Sequence, residues 1–379
     1  MCNFASVLFI KEKMTNDKLL SQTINYLRFP LIVGVVIVHN RMGVINIQGR
    51  PVNFGEWWPW LNYIFDFFSS VLGTISVPLF FFISGYLFFY KVDFNKSVYI
   101  RKLKNRKHTL LVPYLIWNFI GFLILLTQMH PRFSSLFPLL RDYRIDISEF
   151  LSYFWAKDLP MDILGGKGNP IDQPLWFVRD LMLFVVATPI VYWLTKKTKM
   201  VFLTLMGLVW FFQLGDYVNL PYTSNQSLFF LPLGAYFSIN RINFVDIANK
   251  AKWLALAYPL FAIADTITCR TYINFWIHNS GILIGMIATV YVASYLLKKN
   301  KVSINEFLCG ASFFVFAAHY LFISKYMKIL VMIIQPRSPF VVLFIYFFVP
   351  ITTILLCLAI YGILRKWFPT AAKVLTGGR

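Results

Sequence analysis

RFPLIVGVVIVH, residues 28–39, is an almost wholly apolar run with a guanidinium at one end and an imidazole at the other. A helix advances about 100° per residue, so the eleven steps from Arg28 to His39 return to within about 20° of the same face. Along the axis the two side chains stand about 16 Å apart, roughly half the hydrocarbon thickness of a bilayer. They are too far apart to touch, yet they can line one path. Ionisable groups aligned inside an apolar helix are costly to bury and by default mark a functional site.

The remainder of the chain is built in the same way. Of its 379 residues 58% are hydrophobic and 14% charged, against roughly 25% charged in a soluble domain. The 40 Phe, 20 Tyr and 11 Trp exceed what a single water-soluble core needs. The fold class is therefore all-α, a polytopic membrane helical bundle. A net charge of +20 would suggest nucleic acid as the partner of a soluble protein. Here Lys and Arg gather in the connecting segments, so the expected surroundings are membrane lipid and no nucleic acid. The cysteines, Cys2, Cys269, Cys309 and Cys357, form no C-x-x-C pair, and neither a metal site nor a disulfide framework is expected.

Ten spans can be drawn, at about 24–42, 66–90, 109–129, 175–195, 200–214, 227–240, 253–269, 277–297, 307–334 and 340–364. The segment 91–108 carries seven Lys or Arg, and KKTK at 196–199, RINFVDIANKAK at 241–252, KKNK at 298–301 and the tail are basic too. With ten spans all of these fall on one side, which makes both termini cytoplasmic. The longest outer loop, about 130–174, holds five basic and six acidic residues. Its middle, DYRIDISEFLSYFW, can form an interfacial amphipathic helix, and GGKGNPIDQP reads as a turn. Residues 1–23 form a cytoplasmic lead-in, 24–364 the transmembrane domain and 365–379 a cytoplasmic tail. The opening MCNFASVLFI lacks a preceding basic region and does not read as a signal peptide, and Met14 is an alternative start.

The chain resembles the acyltransferase-3 family of bacterial integral-membrane acyltransferases, through stretches spread along it in the right order. LRFPLIVGVVIVHN is similar to that family's first helix, with an Arg-x10-His signature in Arg28 and His39. VPLFFFISGYLF at 77–88, RKLKNRKHTLLVPYLIW at 101–117, QPLWFVRDLMLF at 173–184 and ASFFVFAAHYLF at 311–322 resemble later motifs. Where the family more often has Tyr-Leu-x-His, this chain reads Phe316-Ala317-Ala318-His319. The resemblance implies a fold of about ten helices in the inner or plasma membrane of a bacterial cell. It implies acyl transfer, usually of acetyl from a cytoplasmic thioester such as acetyl-CoA, to a hydroxyl of a surface polysaccharide or lipid-linked glycan.

On that reading His39 is the general base that draws the proton from a sugar hydroxyl, since imidazole has the right basicity near neutral pH. A transient acyl-imidazole is the competing role. The bland alternative is a histidine bonded to a neighbour or to water at the outer end of a helix. Arg28 suits a phosphate or carbonyl of the thioester donor by its fork geometry, and its bland alternative is snorkelling to head groups. Lys102, Lys104 and Arg106 can draw the coenzyme A phosphates to the cytoplasmic mouth, although topology alone explains a basic run there. Ser84, beside Gly85, fits close helix packing next to the site. Arg179 is a candidate for acceptor binding or for stabilising an oxyanion. Trp176 reads as an acceptor contact or an interfacial anchor. His319 is a supporting partner or a packing histidine, while Lys325 and Lys328 share a face near the outer boundary. Asp66 and Asp265 sit near outer ends without an assigned role.

Two other functions stay open at this level. Buried charges serve a transporter or flippase of a glycan intermediate equally well, and an accessory component working with polysaccharide-assembly proteins needs no catalytic histidine.

Overall fold

Each of the ten apolar runs forms a helix in a computed structural model that describes residues 16–40, 42, 44–47, 50–130, 145–156, 168–217 and 223–378. The lead-in before residue 16 and most of the outer loop, at 131–144 and 157–167, lie outside the described residues. In order, the helices are α1 (Asn16–Val38), α2 (Trp60–Phe89), α3 (Lys96–Met129), α4 (Gln173–Thr198), α5 (Met200–Phe211) and α6 (Asn225–Ile239). Then follow α7 (Phe244–Lys250), α8 (Lys252–Thr268), α9 (Asn274–Lys298), α10 (Glu306–Ile334), α11 (Pro339–Trp367) and α12 (Pro369–Leu375). Among the described residues seven helices are long and apolar enough to cross a membrane, and the bent pair α6–α7 makes an eighth, against the ten spans expected. Helix α5, with 12 residues, reaches about 18 Å of a hydrocarbon core of about 30 Å.

Polar side chains start these helices where the apolar runs begin. Asn95, Ser224 and Asn305 accept main-chain N–H groups of Val98, Ser227 and Leu308 at 3.0, 3.1 and 3.1 Å. Each satisfies a donor that the first turn leaves open. The basic segment 241–252 contains a helix that the charge pattern hides. Asn243 caps it through Val245 N at 2.9 Å, Phe244 and Val245 are buried, and α7 turns 98° from α6. A further departure is the antiparallel hairpin of β1 (Val44–Ile47) and β2 (Arg50–Asn53), with Ile45 opposite Val52, just beyond α1.

Helix α8 shows what surrounds the bundle. Leu256, Leu260, Ile263 and Ile267 recur on one helical face and are 51–74% exposed, an apolar stripe suited to lipid. Its C-terminal end is tied down by polar groups: Asp265 Oδ2 lies 2.9 Å from His278 Nδ1, and Arg270 pairs with Asp66 of α2 at 3.1 Å.

Helices α2 and α6 cross at the closest main-chain contact of the bundle that bears on the site. A Cβ on Gly85 would lie 2.1 Å from the Leu231 carbonyl oxygen, and one on Gly234 would lie 2.0 Å from that of Phe82. Only glycine permits this approach, which uses small residues as membrane helices commonly do. The tail does not hang free at its start. Residues 365–367 continue α11, and α12 folds back so that Trp117 Nε1 of α3 donates to the Leu375 carbonyl at 3.0 Å.

Candidate functional site

The site begins with α1, whose inward stripe Leu20, Ile24, Leu27, Leu31 and Val35 is buried. That stripe faces α10, and the two polar ends of the RFPLIVGVVIVH run meet different parts of the same interior. Arg28 lines a cavity of about 280 Å³ together with Arg106 and Ser84. Helix α10 lends Cys309, Ser312 and Phe316 to its wall, and α4 lends Phe177. Cys309 Sγ also donates to the Asn25 carbonyl at 3.2 Å, fastening α10 to α1 beside Arg28.

His39 stands one turn beyond the cavity-lining Val35, where the helical pattern ends. Its N–H reaches the Val35 carbonyl at 3.3 Å, and Asn40 N reaches Ile37 at 3.0 Å. The imidazole packs against α10, with its ring centroid 5.4 Å from that of His319 and 5.0 Å from that of Tyr320. His319 itself lies one turn beyond Phe316 of the cavity wall, their ring centroids 6.4 Å apart. The two guanidiniums thus line the cavity, and the two imidazoles lie one turn past its wall residues Val35 and Phe316.

His319 is fully buried, and its Nδ1 lies 2.7 Å from the Phe316 carbonyl and 3.1 Å from that of Val315. Two carbonyl acceptors fix the proton on Nδ1, which leaves Nε2 as an acceptor. That Nε2 has no hydrogen bond among the described residues. A buried acceptor beside the His39 ring suits a ring N–H donor.

The end of α1 is held by groups the sequence pattern did not single out. Asn40 Nδ2 donates to the Tyr346 carbonyl of α11 at 2.6 Å. Ser69 Oγ donates to the Ile37 carbonyl at 2.9 Å and lies 2.7 Å from the Tyr346 hydroxyl. Ser69 occupies a wide π-helical turn of α2, Asp66–Leu72, a distortion that re-aims side chains and recurs at functional sites.

The remaining candidates are spread around this core. Lys102 donates to the Phe88 carbonyl at the end of α2 and sits 4.6 Å from the Phe88 ring, whereas Lys104 is exposed. Neither lines the cavity, while Arg106 of the same basic run does. Trp176 packs on Phe81 at 5.9 Å, outside the cavity wall. Arg179 is buried and turned to the segments ahead of α4, where Nη1 donates to the carbonyls of Trp155 and Gly168 at 2.9 and 2.8 Å. Its neighbour Asp180 is buried too, with Oδ1 3.6 Å from Arg179 Nε. Asp180 Oδ2 accepts from the main chain and hydroxyl of Ser224 at 2.9 and 2.8 Å, joining α4 to α6.

Asp172 is the group that sequence reasoning missed altogether. It precedes α4, is fully buried, and neither carboxylate oxygen has a hydrogen bond among the described residues. Burial pushes its carboxyl well above the usual carboxylate range, with the Lys325 ammonium pulling the other way. Lys325 of α10 is partly buried and donates to the Leu321 carbonyl at 3.0 Å. Among the described residues no three His, Cys, Asp or Glu side chains converge as metal ligands would.

Succinoglycan biosynthesis protein ExoH of Rhizobium meliloti (strain 1021) is 28% identical over 385 residues, covering 96% of this chain and 94% of that protein. No solved structure matches the chain. The family model described as an acyltransferase domain (Acyl_transf_3) matches residues 22–362, from before Arg28 to beyond Tyr346. A model that takes in nearly all of the bundle, the two guanidiniums and both histidines shows that the chain belongs to the acyltransferase 3 family of membrane acyltransferases.

Proposed function

We propose that this membrane acyltransferase moves an acyl group, acetyl in the simplest case, from acetyl-CoA to a hydroxyl of a cell-surface or lipid-linked glycan. One observation carries the reading: Arg28 and Arg106 line one cavity, and the paired imidazoles of His39 and His319 lie one helical turn past its wall residues Val35 and Phe316. The relative's name refers to succinoglycan biosynthesis, which supports a polysaccharide as acceptor.

The fit to the donor is chemical. Two guanidiniums at one mouth suit phosphate oxygens, for which the planar fork is matched. Apolar walls of Phe177, Phe316 and Val35 suit the arm that carries the thioester. Orientation follows from the basic segments: with both termini cytoplasmic and ten crossings, Arg106 lies at the cytoplasmic mouth and His39 toward the outer side. The exposed apolar stripe of α8 supports counting that helix as a crossing.

His39 then takes the proton of the acceptor hydroxyl. The oxygen attacks the thioester carbonyl, the carbon–sulfur bond breaks, and the departing sulfur receives the proton from the His39 imidazolium. The products are a glycan ester and free coenzyme A. His319 is a positioning residue: its Nε2, without a hydrogen bond among the described residues and beside the His39 ring, would accept the His39 ring N–H in the reacting complex, so that the other His39 nitrogen presents its lone pair to the hydroxyl. Proton transfer of this kind contributes roughly 10²–10⁴-fold to rate.

The test uses purified protein in nanodiscs, acetyl-labelled coenzyme A and envelope glycans of the producing cells. Label should pass to glycan and be lost in His39→Ala with normal membrane insertion. Wild-type transfer in His39→Ala overturns the base assignment. Glycan movement without any label transfer overturns the enzyme reading in favour of transport.

A further inference from the structure

We propose that a second cavity, between the β1–β2 hairpin and the end of α10, is a binding subsite for a sugar ring of the acceptor glycan distant from the hydroxyl that is acylated. The proposal rests on the acyltransferase reading for the word acceptor, while the pocket itself stands on its own geometry.

The cavity measures about 560 Å³, within the usual range of roughly 300–1,000 Å³ for small-ligand pockets. Phe54, Trp57 and Trp58 form one side, Val331 and Met332 the floor, and the polar groups Gln335 and Arg337 the rim. The Trp57 and Trp58 rings stand 5.8 Å apart at 84°, and Phe54 meets Trp57 at 5.5 Å and 87°. The result is a corner of two perpendicular aromatic faces. Trp57 is 56% exposed, a large apolar surface held open rather than packed away. A pyranose ring has one face of C–H bonds, which suits the negative face of an aromatic ring. Its rim of hydroxyls suits the amide of Gln335 and the fork of Arg337. An interfacial tryptophan that only anchors the protein in lipid needs neither a cavity nor opposed polar groups.

Position sets the length of the ligand. Val331 lies twelve residues beyond His319 on the same helix, about 18 Å along its axis. A single sugar cannot reach from the pocket to His39, so the occupant belongs to an oligosaccharide or polymer. Chain termini or repeat units are then selected at a distance from the chemistry.

The experiment measures binding to the full chain in nanodiscs by calorimetry, with no acyl donor present. The probes are size-fractionated oligosaccharides released by mild acid from the surface glycan of the producing cells, and free glucose. Wild-type protein should bind the oligosaccharides and not glucose. Trp57→Ala should weaken binding about tenfold, and Trp57→Phe, which keeps a ring, should stay within about threefold of wild type. In transfer assays Trp57→Ala should raise KM for the long acceptor with little change in kcat. No oligosaccharide binding by wild type overturns the proposal, as does equal binding by Trp57→Ala. An effect of Trp57→Ala confined to association with phospholipid vesicles overturns it too. Binding that depends on Trp57 without acyl transfer upholds the pocket and counts against the catalytic reading instead.

Discussion

Replacing His319 by Leu separates stability from activity in a way the geometry makes quantitative. The substitution removes the Nδ1–H bonds to Phe316 and Val315, worth about 0.5–1.5 kcal/mol net, while both carbonyls stay in the helix ladder. It also removes the buried Nε2, which as an acceptor without a hydrogen bond carries a desolvation cost of about 1–3 kcal/mol. The two terms oppose each other, so the folded protein should change by no more than about 1 kcal/mol in either direction. Activity behaves differently. In the reacting complex His39 would then lack the Nε2 that accepts its ring N–H and fixes its tautomer, and kcat should fall on the order of 10²-fold with KM for acetyl-CoA unchanged. His319→Gln should recover much of the loss, because its amide oxygen can stand in for Nε2. The assay pairs initial rates in nanodiscs with thermal unfolding of the same samples. A His319→Leu protein within about threefold of wild-type kcat, or a Gln variant no better than Leu, refutes the reasoning.

Arg28→Ala should raise KM for acetyl-CoA at least about tenfold with a smaller change in kcat, and Arg28→Lys should recover it only partly because the fork is lost; steady-state kinetics against donor concentration checks this. Gly85→Leu places its Cβ 2.1 Å from the Leu231 carbonyl oxygen and should cost more than the about 1–3 kcal/mol of ordinary overpacking, seen as loss of monodisperse protein on size exclusion. Tyr346→Phe removes the contact with Ser69 that holds the end of α1, and should cost about 1 kcal/mol and a several-fold fall in kcat. Asp172 holds its proton more tightly when folded than when unfolded, so its contribution is present at low pH and lost as pH rises through the raised value. Asp172→Asn should therefore flatten the fall of thermal stability with rising pH, and an unchanged profile would rule this out.

Periodicity puts Arg28 and His39 within about 20° of one face, because an eleven-residue interval nearly completes three turns; in the structure Arg28 lines the cavity and His39, just past the end of α1, packs against α10. Hydropathy found the helices for the same reason, since lipid-facing and core-facing residues are both apolar. What it could not separate was Arg106 from Lys104: both sit in one basic run, but two residues apart on a helix they point about 200° apart, and only Arg106 lines the cavity. Asp172 lay in a Gly, Asn and Pro stretch that reads as an exposed turn, yet the main chain carries it inward, where its N–H meets Asn118 Oδ1 at 3.2 Å. Ser69 and Tyr346 gave no signal, as lone polar residues in apolar helices are separated by 277 positions in sequence. Helix α7 was masked by its charges, which marked 241–252 as a connector.

Because one unbroken rod carries Arg28 and leads straight to His39, α1 works as a gauge. On the proposed function, the grip on the donor and the point of reaction are spaced by the helical rise across a run that contains Pro30. Inserting one residue into the run would swing His39 by about 100° and disconnect the two, whereas inserting four would restore the facing but push the histidine about 6 Å farther out. If Arg28 and His39 play the roles proposed for them, the choice of thioester is written into the length of the first helix.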